Sequence, residues 1–167
     1  MGKVLAPLVA ATSIYSCAAS ADVVDIPGLA RAFFPSADIE EIQASDSATQ
    51  YNYIDSESVI AYNLYVVKGH EEDVTPSWAD DYIAGNAAAV PESQYLLIEM
   101  QASLADVTTD FYIDGRINGQ RFEKICRLLM NQRDYGTWCV ATLGSSANTK
   151  KAFRHFEEFS DDFELLE

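Results

Sequence analysis

The strongest constraint lies in residues 120–143, where two cysteines sit symmetrically about a polar reversal. If the chain turns at Asn131-Gln132-Arg133-Asp134, Met130 faces Tyr135, Leu128 faces Thr137 and Cys126 faces Cys139. Directly opposed strand positions hold their β-carbons about 4.5–5.5 Å apart. A disulfide needs about 3.8 Å, which a small adjustment supplies. Periodicity points the other way, because Phe122, Ile125, Cys126, Leu129 and Met130 fall at helical spacing with Arg121, Glu123, Lys124 and Arg127 opposite. Two further features favour strand. Arg121 and Lys124 would place positive charge at a helix N-terminus, against the dipole, and Asn118-Gly119 is a hairpin dipeptide. The expectation is a hairpin, 120–130 with 134–143, joined by a Cys126–Cys139 bond; a helix packed on a strand could bridge the same cysteines. After it, Gly144-Ser145-Ser146 opens a helix over 147–159 whose Ala152, Phe153, Phe156 and Phe159 make one apolar stripe, read as core. Phe163, Leu165 and Leu166 form a tail expected to dock back on the sheet.

Upstream, residues 29–33 read as a short helical turn ended by Pro35. A short strand over 38–43 and a second from Tyr51 follow, with Asp55-Ser56-Glu57-Ser58 as a turn. Residues 59–68 form the clearest strand of the first half, apolar on both faces as a doubly covered strand would be. Thr75 and Pro76 provide a cap and first position for a helix to about Ala89, stopped by Pro91. Residues 94–104 read as strand, 106–109 as a break, and Phe111-Tyr112-Ile113 as extended. Asp114-Gly115 and Asn118-Gly119 lie too close together for both to close hairpins, so one of them reads as a bulge or bend.

The first 21 residues read as an export signal. Lys3 is the positive end, an apolar run follows, and Ala19-Ser20-Ala21 fits the cleavage pattern before Asp22. The run is too short to cross a bilayer, which takes about 20 residues. This divides the chain into a 1–21 signal peptide and one domain over 22–167. Ile14-Tyr15-Ser16-Cys17 also approximates a lipobox, so a lipid anchor on Cys17 is the alternative, with Tyr15 out of place in the motif. The mature chain would keep two cysteines, an even count that in an exported protein points to a disulfide; two buried free thiols are the other reading. Net charge is −15, from 26 acidic and 11 basic residues, and would be −16 without Lys3. Such a chain lacks the basic footprint that nucleic acid or an anionic membrane surface requires.

The run Ile125 to Met130, a polar turn, Tyr135-Gly-Thr-Trp-Cys-Val-Ala-Thr-Leu-Gly144 and a Phe-rich helix ending at Asp162-Phe163 resemble the end of PsbP-like domains. The order strand 59–68, helix 76–89, strand 94–104 suits the same family, so the resemblance covers roughly residues 51–165. It implies an α+β fold, an antiparallel sheet flanked by helices as an α/β/α sandwich, and an accessory or assembly role without chemistry. It transfers no functional residue, and Asp162 stands where the family has serine.

No nucleophile, zinc or phosphate-loop motif occurs in the chain. His70 lies among Glu71, Glu72 and Asp73 and is read as a solvated loop residue in preference to a metal ligand; His155 is read as surface or boundary. The carboxylate sets Asp106, Asp110, Asp114 and Asp161, Asp162, Glu164 match no calcium loop. No catalytic residue, metal or cofactor is assigned. The reading is an exported, periplasmic or secreted, non-catalytic accessory, binding or assembly module of the cell envelope, taking a protein partner or small ligand. A small exported hydrolase using paired carboxylates is the alternative, as is the Cys17 lipoprotein.

Overall fold

In a computed structural model the described residues are 22–26, 29–36, 38–69, 75–102 and 106–166. The 1–21 leader with Cys17, and His70 with its acidic neighbours, lie outside them. The strands are β1 (Asp22–Ile26), β2 (Ala30–Phe34), β3 (Glu40–Gln43), β4 (Ala48–Asp55) and β5 (Ile60–Lys68). Then come α1 (Pro76–Ala88), β6 (Gln94–Ala102), β7 (Val107–Ile117), β8 (Gln120–Met130) and β9 (Asp134–Leu143). α2 (Ser146–Phe159), a 3-10 turn (Ser160–Asp162) and β10 (Glu164–Leu165) complete the order.

Seven strands form one antiparallel sheet in the order β3-β4-β5-β9-β8-β7-β6. Two meanders, β3 to β5 and β6 to β9, therefore meet along β5 and β9. β1, β2 and β10 form a second small sheet. On one face of the large sheet α1 buries Ala79, Ile83 and Ala87 against Val107, Phe111, Ile113, Cys126, Leu128 and Met130. On the other, α2 and the small sheet pack Phe34, Ala152, Phe156 and Phe159 with Tyr62, Leu64, Trp138 and Val140. The fold is α+β, a mostly antiparallel sheet with a helix on each face. Trp138 Nε1, in the second core, meets no acceptor among the described residues.

Residues 120–143 form the hairpin, with Met130 opposite Tyr135, Leu128 opposite Thr137 and Cys126 opposite Cys139. The two sulfurs are bonded at 2.10 Å, with Cα atoms 4.1 Å apart. The helical look of β8 has a physical cause. Ile125 enters the α2-side core while Cys126, Leu128 and Met130 enter the α1-side core, so burial on both faces erases the period-two polarity. Asn118 (φ 52°) and Gly119 (φ 78°) close the β7–β8 turn in the left-handed conformations that a tight hairpin requires.

Three expectations are corrected. Residues 29–33 are not a helical turn: Ala30, Ala32 and Phe34 point into the core from β2, which is paired on both sides by β1 and β10. The break at 106–109 is shorter, because β7 already begins at Val107. Asp114-Gly115 is neither turn nor bulge but lies within β7 in unbroken register with β8, where a Cβ on Gly115 would lie 2.7 Å from Val90 Cγ1 and 3.1 Å from the Pro91 carbonyl. The glycine lets the α1–β6 connection cross β7 closely. The tail docks as expected. Leu166 N donates to Leu29 O at 2.9 Å, and Phe163 is buried against β9, where Gly136 leaves room for its ring.

Candidate functional site

α2 starts where the Ser145 hydroxyl accepts the Asn148 amide at 3.2 Å, filling one of the orphan donors of a helix N-terminus. Its apolar stripe turns Ala152, Phe156 and Phe159 into the core. That orientation places Lys151, His155 and Glu158, spaced by four and three, along the flank facing the β4–β5 hairpin. Between flank and hairpin runs a groove of about 770 Å³, lined among others by Tyr53, Asp55, Tyr62, Lys151, His155 and Glu158.

The groove is built from local chemistry. Asp55 Oδ1 accepts the amides of Glu57 (3.1 Å) and Ser58 (3.2 Å), which shapes the turn. Its Oδ2 holds Lys151 Nζ at 2.8 Å, and the same ammonium donates to Ser58 Oγ. The hydrogen bond from Lys151, then those from Ser58, hold the Asp55 carboxyl down to about 2 despite burial. Deeper, Tyr53 stacks on Tyr62 at 5.5 Å and Tyr62 stacks on His155 at 5.8 Å. Tyr62 Oη and His155 Nδ1 share a hydrogen bond, and Phe159 meets the imidazole edge-on at 6.0 Å. Burial raises the Tyr62 phenol and lowers the His155 imidazole, the second helped by nearby Lys151. Both therefore stand neutral at pH 7.

His155 is half-buried, at the boundary as the sequence reading had it, and it stacks on Tyr62. Its signal was present as the four-residue spacing from Lys151 on the helix flank. Tyr62, which fixes its role, lies 93 residues away. Of the suspected carboxylate sets, one member of each, Asp110 and Asp161, meets on a single guanidinium, that of Arg127. Asp110 takes Arg127 in two 2.8 Å contacts, with that guanidinium also reaching Asp161 at 2.7 Å; Asp114 takes Arg121, and Glu164 takes Arg31. The Arg127–Asp110 and Arg121–Asp114 pairs are the two-contact, fork-shaped kind arginine makes with carboxylates. Buried Glu123 is likewise occupied, accepting from Tyr112 and Thr149 and pairing with Arg121. No group of three or more potential metal ligands occurs among the described residues, and no helix there is long and apolar enough to cross a membrane.

A second cavity of about 460 Å³ lies at the far end of the sheet, between Lys68, Thr108, Met130, Arg133 and Leu166. It gathers no aromatic stack.

No family model matches the sequence, and no curated protein does. Among solved structures, the fold is similar to that of LpqN from Mycobacterium tuberculosis, a protein described as involved in cell envelope biogenesis. The TM-score is 0.52 at 12% identity, over 88% of this chain and 91% of that one. At that identity the likeness is one of fold.

Proposed function

We propose that the chain is an exported, non-catalytic binding module of the cell envelope that receives a small ligand in the groove between α2 and the β4–β5 hairpin. The observation that carries this is the groove itself. A stack of Tyr53, Tyr62 and His155 runs beside ion-paired Asp55 and Lys151 in a volume of about 770 Å³, within the range of small-molecule sites. A general acid needs a carboxyl pushed upward. Asp55 is pushed down, and Lys151 is engaged by Asp55 and Ser58. This arrangement supports binding in preference to the paired-carboxylate hydrolase. The envelope setting draws support from the fold shared with LpqN. The helix-sheet-helix layering supports a PsbP-like α/β/α sandwich. Export through the 1–21 signal and the Cys126–Cys139 bond belong to the same proposal, with a Cys17 lipid anchor as its variant.

The test is to incubate the full chain with an extract of its own cell envelope, repurify it and record native mass spectra and amide NMR spectra. A bound mass is expected, with shifts at Tyr53 and His155, both lost in His155→Ala whose circular dichroism is unchanged. Wild type emerging ligand-free, with no shift in the groove, would overturn the reading.

A further inference from the structure

The groove between α2 and the β4–β5 hairpin is unbalanced in charge. Asp38, Asp55, Glu57 and Glu158 line it against Lys151 and Arg154, which leaves two negative charges in excess. Lys151 is cancelled by Asp55, to which it is bonded at 2.8 Å. Arg154 then stands alone among Asp38, Glu57 and Glu158, and none of these four exposed side chains is ion-paired among the described residues. The groove also has an aromatic wall. Tyr62 is buried between Tyr53 and His155, stacked on both. The protein itself thereby occupies the Tyr62 ring, and half-buried Tyr53 is the outer tyrosine of the stack, the one left to meet a ligand.

We propose that the ligand of this groove carries an organic ammonium group, received by the Tyr53 ring with Glu57 on the hairpin wall and Glu158 on the helix wall. The proposal rests on the binding role argued above and names the chemistry of what is bound. The face of an aromatic ring is the negative end of its quadrupole and attracts cations, alkylammonium groups among them. Carboxylates on both walls add to the same preference, and a chain of net charge −15 enriches cations around it. An anionic ligand would meet the excess of carboxylate. A hard metal ion fits less well, because it takes six or more oxygen ligands and no three potential metal ligands converge among the described residues. An ammonium bearing methyl or methylene groups satisfies ring and carboxylates together. Arg154, one helical turn before Glu158, is the cation that competes for the same acids.

The probes are choline and its neutral isostere 3,3-dimethylbutan-1-ol, titrated into the full chain at low salt and followed by NMR. Choline should shift the Tyr53 and His155 resonances and bind about tenfold tighter than the isostere, a preference that shrinks as salt rises. Glu57→Gln combined with Glu158→Gln, both exposed positions, should weaken choline about fivefold, and Arg154→Gln should strengthen it about twofold. Tyr53→Phe should keep the affinity while Tyr53→Leu loses about threefold, because the ring face is used and the hydroxyl is not. Circular dichroism reports that each variant is folded. Equal or absent binding of the two probes, or choline affinity unmoved by the double glutamine variant and by Arg154→Gln, would overturn the proposal. The molecule retained from an envelope extract separates the two claims. A retained ligand without an ammonium group overturns this proposal and leaves the binding role standing, whereas a chain that retains nothing overturns both.

Discussion

Gly115→Ala tests whether close approach, and no turn, explains the glycine after Asp114. Gly115 lies in β7 opposite Phe122 and has an ordinary strand backbone, so alanine is not excluded by conformation. An added methyl would sit 2.7 Å from Val90 Cγ1 and 3.1 Å from both the Pro91 carbonyl and Ser93 Cβ. The Arg116 amide donates to that same Pro91 carbonyl at 3.1 Å, so the connection cannot retreat without straining a hydrogen bond. Overpacking of this kind costs about 1–3 kcal/mol, of which the lower unfolded-state entropy of alanine returns about 0.4–1 kcal/mol. A net loss of about 1–2 kcal/mol is expected. Val90→Ala removes the nearest atom and by itself should cost about 1 kcal/mol. The double variant should recover part of the sum, with a coupling of about 0.5–1 kcal/mol. Urea unfolding with a common m-value reads all four proteins. Gly115→Ala within about 0.3 kcal/mol of wild type, or strict additivity with Val90→Ala, would refute the close-packing account.

Three other outcomes follow from the same structure. Non-reducing peptide mass spectrometry of exported material should find Cys126 joined to Cys139, and replacing both by alanine should cost about 2–3 kcal/mol for a loop with a separation of 13; two freely alkylated thiols would contradict it. Asp55 is held down to about 2 from 3.8, so its contribution is present above pH 4 and is lost as pH falls toward 2. After solvent screening of a side chain 20% exposed this is about 1–2 kcal/mol. Lys151→Met should flatten the stability profile across that window, and a profile as steep as wild type would count against the pair. For His155, burial favours the neutral ring, so stability is complete above its ordinary value of 6.5 and declines below it. NMR titration should place its midpoint under 6.5; a midpoint at or above that value would reject the half-buried stack.

Helix starts were legible because caps are local: Thr75 accepts the Trp78 amide and Ser145 the Asn148 amide, as short polar residues ahead of a helix do. The stripe of α2 was legible because its spacing alone defines a face. The β8–β9 register was legible through a covalent constraint, since two cysteines placed symmetrically about a turn admit few pairings. The groove was hidden. Lys151 and His155 announce a shared helix flank, but nothing near them in the chain names Asp55 or Tyr62 as partners.

The amino-acid sequence by itself therefore determined the features whose physics spans a few residues. These are the caps, the Asn118-Gly119 reversal with positive φ at both residues, and the opposition of Cys126 to Cys139 across one turn. Tertiary structure decided whatever depends on partners distant in the chain. Residues 30–34 became a strand because β1 and β10 pair with them. Gly115 became a crossing point because residues 90–93 pass over it. His155 became a half-buried stacking partner because β5 brings Tyr62 beneath α2. In each case local propensity was weak, and burial of apolar surface and satisfaction of backbone hydrogen bonds across the whole sheet settled the outcome.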